Sequence, residues 1–315
     1  MSKMSTDRHA LNGPTMGTRW TALFHAEGLD PGSIRRVLQE AVDEVDAQMS
    51  VWKPDSDLMR LNAAPVGVPV ALPARLMAVL GLGLSVGRAT GGAFDITLGD
   101  AVRAWGFGPD AATPAAIRAA MGRPRLPAWE ALELDPAAGR AVKRAPVSVD
   151  LNGIAKGYGT DRLAEVLREH GIGAALVGID GETRALGLRP DGEAWTVAVE
   201  APDYKRRAPQ SILALHDAAV ATSGDYRHWL QVGDRLLSHT MDPVQGAPLR
   251  QSPASVTVVA PGCAEADAFA TALMVLGETE GLALAARLGL SALFLLRDGD
   301  TIRTASTGAV FEPAG

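Results

Sequence analysis

Seven strand-like runs, at 18–24, 147–151, 174–179, 194–200, 211–215, 254–260 and 291–297, punctuate this chain and limit its fold more than any other feature. Each is short, apolar and closed by turn-forming residues. Helical patterns at about 154–170, 264–276 and 279–288 alternate with the later runs. That order predicts an α+β fold, a mixed or largely antiparallel sheet flanked by helices.

More helices are expected near the start. Ile34, Val37, Leu38, Ala41, Val45 and Met49 mark an amphipathic helix over 34–49. Asp55-Ser56-Asp57 supplies helix-start chemistry ahead of Leu58, Met59 and Leu61. An apolar helix over 73–89 should stop at Thr90-Gly91-Gly92, and 109–140 reads as a peripheral helix with loops, poor in strand signals. The 315 residues can form one unit over 1–315, or two subdomains with a site between them.

A formal net charge of −6 argues against a nucleic-acid binder working through a basic face. The densest basic run, Lys205-Arg206-Arg207, reads as a solvated loop. Cys263 is the only cysteine, which rules out an intramolecular disulfide and a cysteine-rich metal site. No stretch approaches about 18 uninterrupted apolar residues, so no transmembrane helix is expected. The first residues, MSKMSTDRHALNGPTMG, lack an apolar signal core and a lipid-anchoring cysteine. The expectation is a cytoplasmic protein, or a periplasmic one if a targeting segment has been removed.

Four polar clusters could carry chemistry. VDLNGIAKGYGTD, residues 149–161, runs from a β-like segment through a glycine-rich turn into a helix, yet its glycines fit neither a P-loop nor a dinucleotide fingerprint. Amides at that helix start, with Lys156 near by, would suit phosphate oxygens; a surface turn with a solvated lysine reads equally well. In EADAFATALMVLG, residues 265–277, Asp267 and Thr271 lie four apart on one helix face. The pair could hold a hard cation such as Mg²⁺ or be a capping aspartate and a back-bonding threonine. In SHTMDPVQGAP, residues 238–248, His239 has a side chain suited to proton exchange at neutral pH, and Asp242-Pro243 starts a turn. In GGAFDITLGDAVRAWGFG, residues 91–108, Gly-Gly permits close backbone approach, and Phe94 and Asp95 offer a stacking face and a polar anchor.

In order along the chain, TMGTRW (15–20), MSVWKPDSDLMRLN (49–62), GGAFDITLG (91–99), DLNGIAKGYGTDRL (150–163), ATSGDYRHW (221–229), LSHTMDPVQGAP (237–248) and SVTVVAP…EADAFATALMVLG (255–277) resemble the FAD:protein FMN transferase (ApbE-like flavin transferase) family. The resemblance spans nearly the whole chain. It implies an ApbE-like fold and a Mg²⁺-dependent enzyme that moves FMN from FAD onto a threonine or serine hydroxyl of a target protein through a phosphoester, releasing AMP. A FAD pyrophosphatase giving FMN and AMP, or a non-catalytic FAD carrier, are the alternatives. The implied acceptor is an electron-transfer subunit.

By the same resemblance, the metal lies between Asp267 and Thr271, with the backbone carbonyl of Gly153, or else Ala155, as a third ligand. FAD contacts carry over to Met16, Trp52, Ala93, Phe94, Asp95, Asp150, Lys156 and Met241. Lys156 is expected to neutralise diphosphate charge and His239 to handle the acceptor's proton, with Asp242 or a metal-bound water as alternatives. The chain departs from the family at Gly178-Ile179-Asp180-Gly181-Glu182, where an Asn and a Gly-Gly-Asp run are usual. Asp180 in a glycine's place puts close backbone approach to a ligand there in doubt.

Overall fold

The structure, a computed structural model, describes residues 7–203, 208–226, 229–232, 235–299 and 301–311. The basic run at 205–207 and Arg227 and His228 of the 221–229 motif lie outside them.

The core is an eight-stranded sheet whose strands follow chain order: β1 (Asp7–Thr15), β2 (Thr18–Ala26), β3 (Ala175–Ile179), β4 (Glu182–Leu186), β5 (Ala219–Gly224), β6 (Ser255–Ala260), β7 (Ser291–Asp298) and β8 (Thr301–Thr307). Every neighbouring pair is antiparallel. Two tight turns aim residues at one end of the sheet. Met16 and Gly17 join β1 to β2 with φ of 44° and 72°, the positive pair a two-residue hairpin needs. Asp180 opens the β3–β4 turn at φ 59°, a left-handed conformation in which a glycine would be unstrained.

The helices are α1 (Pro31–Met49), α2 (Asp57–Ala63), α3 (Ala74–Ala89), α4 (Gly99–Ala104), α5 (Pro114–Met121), α6 (Ala128–Ala131), α7 (Ala155–Glu169) and α8 (Cys263–Leu288). Asp30 caps α1 by accepting from Gly32 and Ser33, and Ser56 caps α2 by accepting from Met59. Gly277, at φ 72° and ψ −170°, breaks α8 in two, as expected from runs over 264–276 and 279–288. By length and composition α8 is apolar enough to span a membrane, but its residues from Cys263 to Met274 are largely buried in this core.

Strand periodicity sorts side chains to two faces. Ala292 and Phe294 of β7 join Val256, Val258 and the buried side of α8 in one core, while Leu293 and Leu295 face a separate ribbon, Trp195–Glu200 with Pro209–Leu215. Trp20, Phe24 and Val177 pack with Leu38 and Val42 of α1 and Leu163 and Leu167 of α7. One face of the sheet therefore carries α1, α7 and α8, and the other carries the ribbon.

Two expectations are corrected. Residues 147–151 are not a ladder strand: only Ser148 makes a bridge, to Leu98. The segment is extended because other groups take its backbone. Asn62 pairs with both the N–H and C=O of Val149, at 2.7 and 2.8 Å, and the Asp150 N–H donates to the Ile96 carbonyl at 2.8 Å. Residues 109–140 do contain strand, Leu132–Asp135, which pairs with Arg140–Lys143 and through it with Val70–Ala71 in a small three-stranded sheet.

Candidate active site

Two helix starts meet beside the β3–β4 turn. Gly157, in the first turn of α7, lies so close to the start of α8 that a Cβ there would sit 2.4 Å from the Cys263 carbonyl oxygen. Only glycine allows that approach. The Gly157 N–H, unused within α7, donates to Asp267 Oδ2 at 3.0 Å. In a continuous helix that N–H would bond the Gly153 carbonyl. Among the described residues the Gly153 carbonyl accepts no hydrogen bond.

Gly153 also lies against Thr271: a Cβ on it would be 3.1 Å from Thr271 Oγ1 and 3.2 Å from the Phe94 ring. Thr271 Oγ1 pairs with Ser223 Oγ of β5 at 3.2 Å rather than with its own helix. Asp267 is 5% exposed, and among the described residues only its Oδ2 is hydrogen-bonded. The Asp267 carboxylate, the Thr271 hydroxyl and the Gly153 backbone, whose carbonyl has spare acceptor capacity, are thus brought together where α8 meets the turn before α7. This all-oxygen donor set fits a hard cation. Ala155, the alternative carbonyl, is the first residue of α7.

Charge at this point is unbalanced toward the negative. Burial, then the neighbouring Glu182 carboxylate, push Asp267 up to about 7, against the opposing pull of Lys156 and the Gly157 N–H. Glu182 is 3% exposed and accepts from Lys156 Nζ at 2.7 Å; Asp180 Oδ2 lies 3.4 Å from the same ammonium. Burial works to lower Lys156, but Glu182, Asp267 and Asp180 outweigh it and hold the ammonium above the ordinary lysine range. Lys156 is therefore a fixed cation with about a third of its side chain open to solvent.

The remaining candidates fall into three places. Met16, at the β1–β2 turn, reaches α7, its Cε 3.0 Å from where a Gly159 Cβ would be. Ala93 and Phe94 are buried, the Phe94 ring beside Gly153, and Asp95 holds the loop by accepting from the Thr97 N–H and hydroxyl, both at 2.6 Å. Asp150 accepts from the Asn152 N–H at 2.8 Å; burial pushes its carboxyl up to about 6, opposed by the Asn152 N–H and by Arg103.

His239 and Met241 belong to a second loop, tied to the 91–108 segment. Trp105 Nε1 donates to the Gly246 carbonyl at 3.0 Å, and the Phe107 ring meets His239 edge-on at 6.4 Å. Met241 is buried, paired with Pro248. Asp242 is engaged in its own turn, accepting from the Val244 and Gln245 N–H groups at 2.8 and 3.0 Å and from Gln245 Nε2 at 2.7 Å. Trp52 is 59% exposed.

Sequence reasoning gave no role to Asn62, Asp161 or Ser223, though each lies in a motif quoted for the family resemblance. Their partners are 87, 102 and 48 residues away. No spacing rule reaches that far.

Fold and site define an α+β protein with a polar centre built where two helices start against one end of an antiparallel sheet. The sequence pattern of the ApbE family matches residues 16–294, and the chain belongs to that family. It is 34% identical over 303 residues to the FAD:protein FMN transferase of Klebsiella pneumoniae (strain 342), covering 93% of this chain and 86% of the relative. Among solved structures it resembles the flavin transferase ApbE from Vibrio cholerae, with TM-score 0.86 and 34% identity over 98% of this chain and 99% of that one. The apo flavinyl transferase ApbE of Pseudomonas stutzeri gives TM-score 0.85 and 35% identity over 98% and 96% of the two chains.

Proposed function

We propose that this chain transfers the FMN half of FAD to a threonine or serine hydroxyl of a target protein, forming a phosphoester and releasing AMP with the help of Mg²⁺. One observation supports the reading: Asp267, Thr271 and the Gly153 backbone come together at the start of α7, with the Lys156 ammonium within electrostatic reach of Asp267. The chain's relatives over nearly their whole length are FAD:protein FMN transferases.

Asp267, Thr271 and Gly153 would hold the cation, which supplies positive charge to diphosphate oxygens when bound. The chain's own residues do the rest. Lys156, fixed by Glu182, offers a permanent positive charge to the charge building on the phosphoryl oxygens. Phe94 beside Gly153 and Met16 beside Gly159 bring apolar side chains to the start of α7, and the exposed Trp52 ring offers a stacking face for one end of the dinucleotide. Asp95, Asp150 and Met241 complete the FAD contacts.

His239 takes the proton from the acceptor hydroxyl as that oxygen bonds the FMN-side phosphorus. The bond from this phosphorus to the bridging oxygen breaks, and its electron pair leaves with AMP. Asp242 serves this step poorly because both of its oxygens are held by the turn. The acceptor fits an electron-transfer subunit presenting a hydroxyl in an accessible segment.

The test is incubation with FAD, Mg²⁺ and a protein bearing a threonine flavinylation motif. In-gel flavin fluorescence on the acceptor is the expected result. Free FMN with AMP and no labelled acceptor would mean hydrolysis, and unchanged FAD would mean a carrier; either result overturns transfer.

A further inference from the structure

The N-cap residue of α8 is Gly262, which has no side chain to satisfy the helix's first N–H groups. That role is filled from another helix. Asp161 of α7 accepts from the Cys263 N–H through Oδ1 at 2.8 Å and from the Ala264 N–H through Oδ2 at 2.9 Å. Asp161 is 8% exposed, and Arg184 of β4 pairs with it.

Asp161 lies one helical turn beyond Gly157, on the same face of α7. The two helices are thus joined twice in opposite senses. An α7 amide, Gly157, bonds an α8 carboxylate, Asp267; an α7 carboxylate, Asp161, bonds two α8 amides. With the helix backbones in contact at Gly157, this double tie fixes how far α8 can slide or rotate against α7. Asp267 lies on α8 only four residues after Cys263, and Gly153 lies just before α7. The tie therefore sets the separation between donors on the two elements.

We infer that Asp161 is a positioning residue for cation binding: by capping α8 from α7, it holds Asp267 and Thr271 in register with the Gly153 carbonyl. It touches neither substrate nor metal. This inference rests on the metal reading given above. Arg184 has a different part: among the described residues its hydrogen bond goes to the Asp161 carboxylate, whose buried charge it balances, and not to the first amides of α8.

The probe is Mn²⁺ alone, titrated into purified full-length chain and followed by loss of the free-ion EPR signal. Thermal stability is measured on the same samples. Asp161→Asn keeps one acceptor and turns an N–H₂ toward the other amide; Asp161→Ser, which can accept from one amide, replaces it if the Asn variant is not recovered folded. Either is expected to weaken Mn²⁺ binding, by up to about tenfold, the lower end of the loss seen when a direct hydrogen-bond partner of a metal ligand is removed, since Asp161 acts through the helix and not on a ligand itself. Arg184→Met should lose thermal stability yet hold Mn²⁺ within about twofold of wild type, a contrast that a purely structural role for Asp161 would not give. A wild-type chain that binds no Mn²⁺ sinks the metal reading itself. A wild type that binds Mn²⁺, with folded Asp161 variants binding it equally well, overturns the positioning role alone.

Discussion

Lys156 Nζ sits 2.7 Å from Glu182 Oε1, which links the first turn of α7 to the first residue of β4. Glu182 is buried almost completely and its second oxygen accepts from the Gly181 N–H at 3.1 Å. This carboxylate has two jobs that oppose each other. It holds the ammonium in place, and it raises the pKa of Asp267.

Removing the cation should be the harsher change. Lys156→Met leaves Glu182 buried without a counter-charge and beside Asp267. Breaking a fully buried pair costs about 3–5 kcal/mol; partial exposure of Lys156 reduces this to roughly 2–3 kcal/mol. Glu182→Gln retains an acceptor for Lys156 and should cost about 1 kcal/mol or less. Urea unfolding of the two variants tests the order, and equal losses would mean that the pair is not what holds this turn.

The Asp267 carboxyl gives a pH dependence of defined sign. Its pKa is about 7 in the folded chain, against an ordinary unfolded value of about 3.9. Between those values the folded state keeps a proton that the unfolded state has lost, so this group makes the metal-free chain less stable as pH rises from about 4 to 7, with no further change above. A cation bound at the proposed site would displace that proton. Mg²⁺ should therefore raise the melting temperature more at pH 8 than at pH 5.5, and its apparent affinity should fall about tenfold per pH unit below 7. Thermal melts with and without Mg²⁺ at both pH values check this, and a larger Mg²⁺ effect at pH 5.5 would contradict it.

Gly157→Ala tests the contact between the helices. The added carbon would lie 2.4 Å from the Cys263 oxygen and 2.8 Å from Ala264 Cα, both backbone atoms with no rotamer to adjust. Overpacking of this kind costs about 1–3 kcal/mol. Because the Gly157 N–H is the donor to Asp267, the variant should also raise the Mg²⁺ concentration needed for half-maximal FAD turnover. Gly159→Ala is the control: its added carbon would meet the ends of the Ile179 and Met16 side chains, which can move. It should lose less stability and leave the Mg²⁺ requirement near wild type.

What could be read from the sequence follows from how far each signal extends. Helices announce themselves locally: Ser56 caps α2 as its position suggested, and the break at Gly277 falls between the two predicted helical runs. Edge strands do not. DRHALNGPT and TIRTAST, at the two edges of the sheet, have no apolar alternation because each has one neighbour strand and much of its length in water. VSVDL at 147–151 looked like a strand because alternation records burial, and Asn62 takes the place of a neighbouring strand. In the site, the four-residue spacing of Asp267 and Thr271 was visible, and the family resemblance tied it to the glycine-rich turn. The Asp161 cap and the Glu182–Lys156 pair were not visible, because they exist only once β4 and α8 are folded against α7.

His239 separates chemistry from binding most cleanly. It lies on the segment at 238–248, with its imidazole against the edge of Phe107, while the proposed cation donors come from α8 and the turn before α7. Loss of the imidazole should leave the Asp267–Gly157 and Lys156–Glu182 contacts intact. His239→Ala is expected to bind FAD and Mn²⁺ within about twofold of wild type, yet to lose transfer by roughly 10²-fold or more, the usual share of a general base. The loss should be larger at pH 7 than at pH 9, where hydroxide competes better as the proton acceptor. Flavin fluorescence on the acceptor measures transfer, and equilibrium dialysis measures FAD. Near-normal transfer by the variant removes His239 from the proton's path.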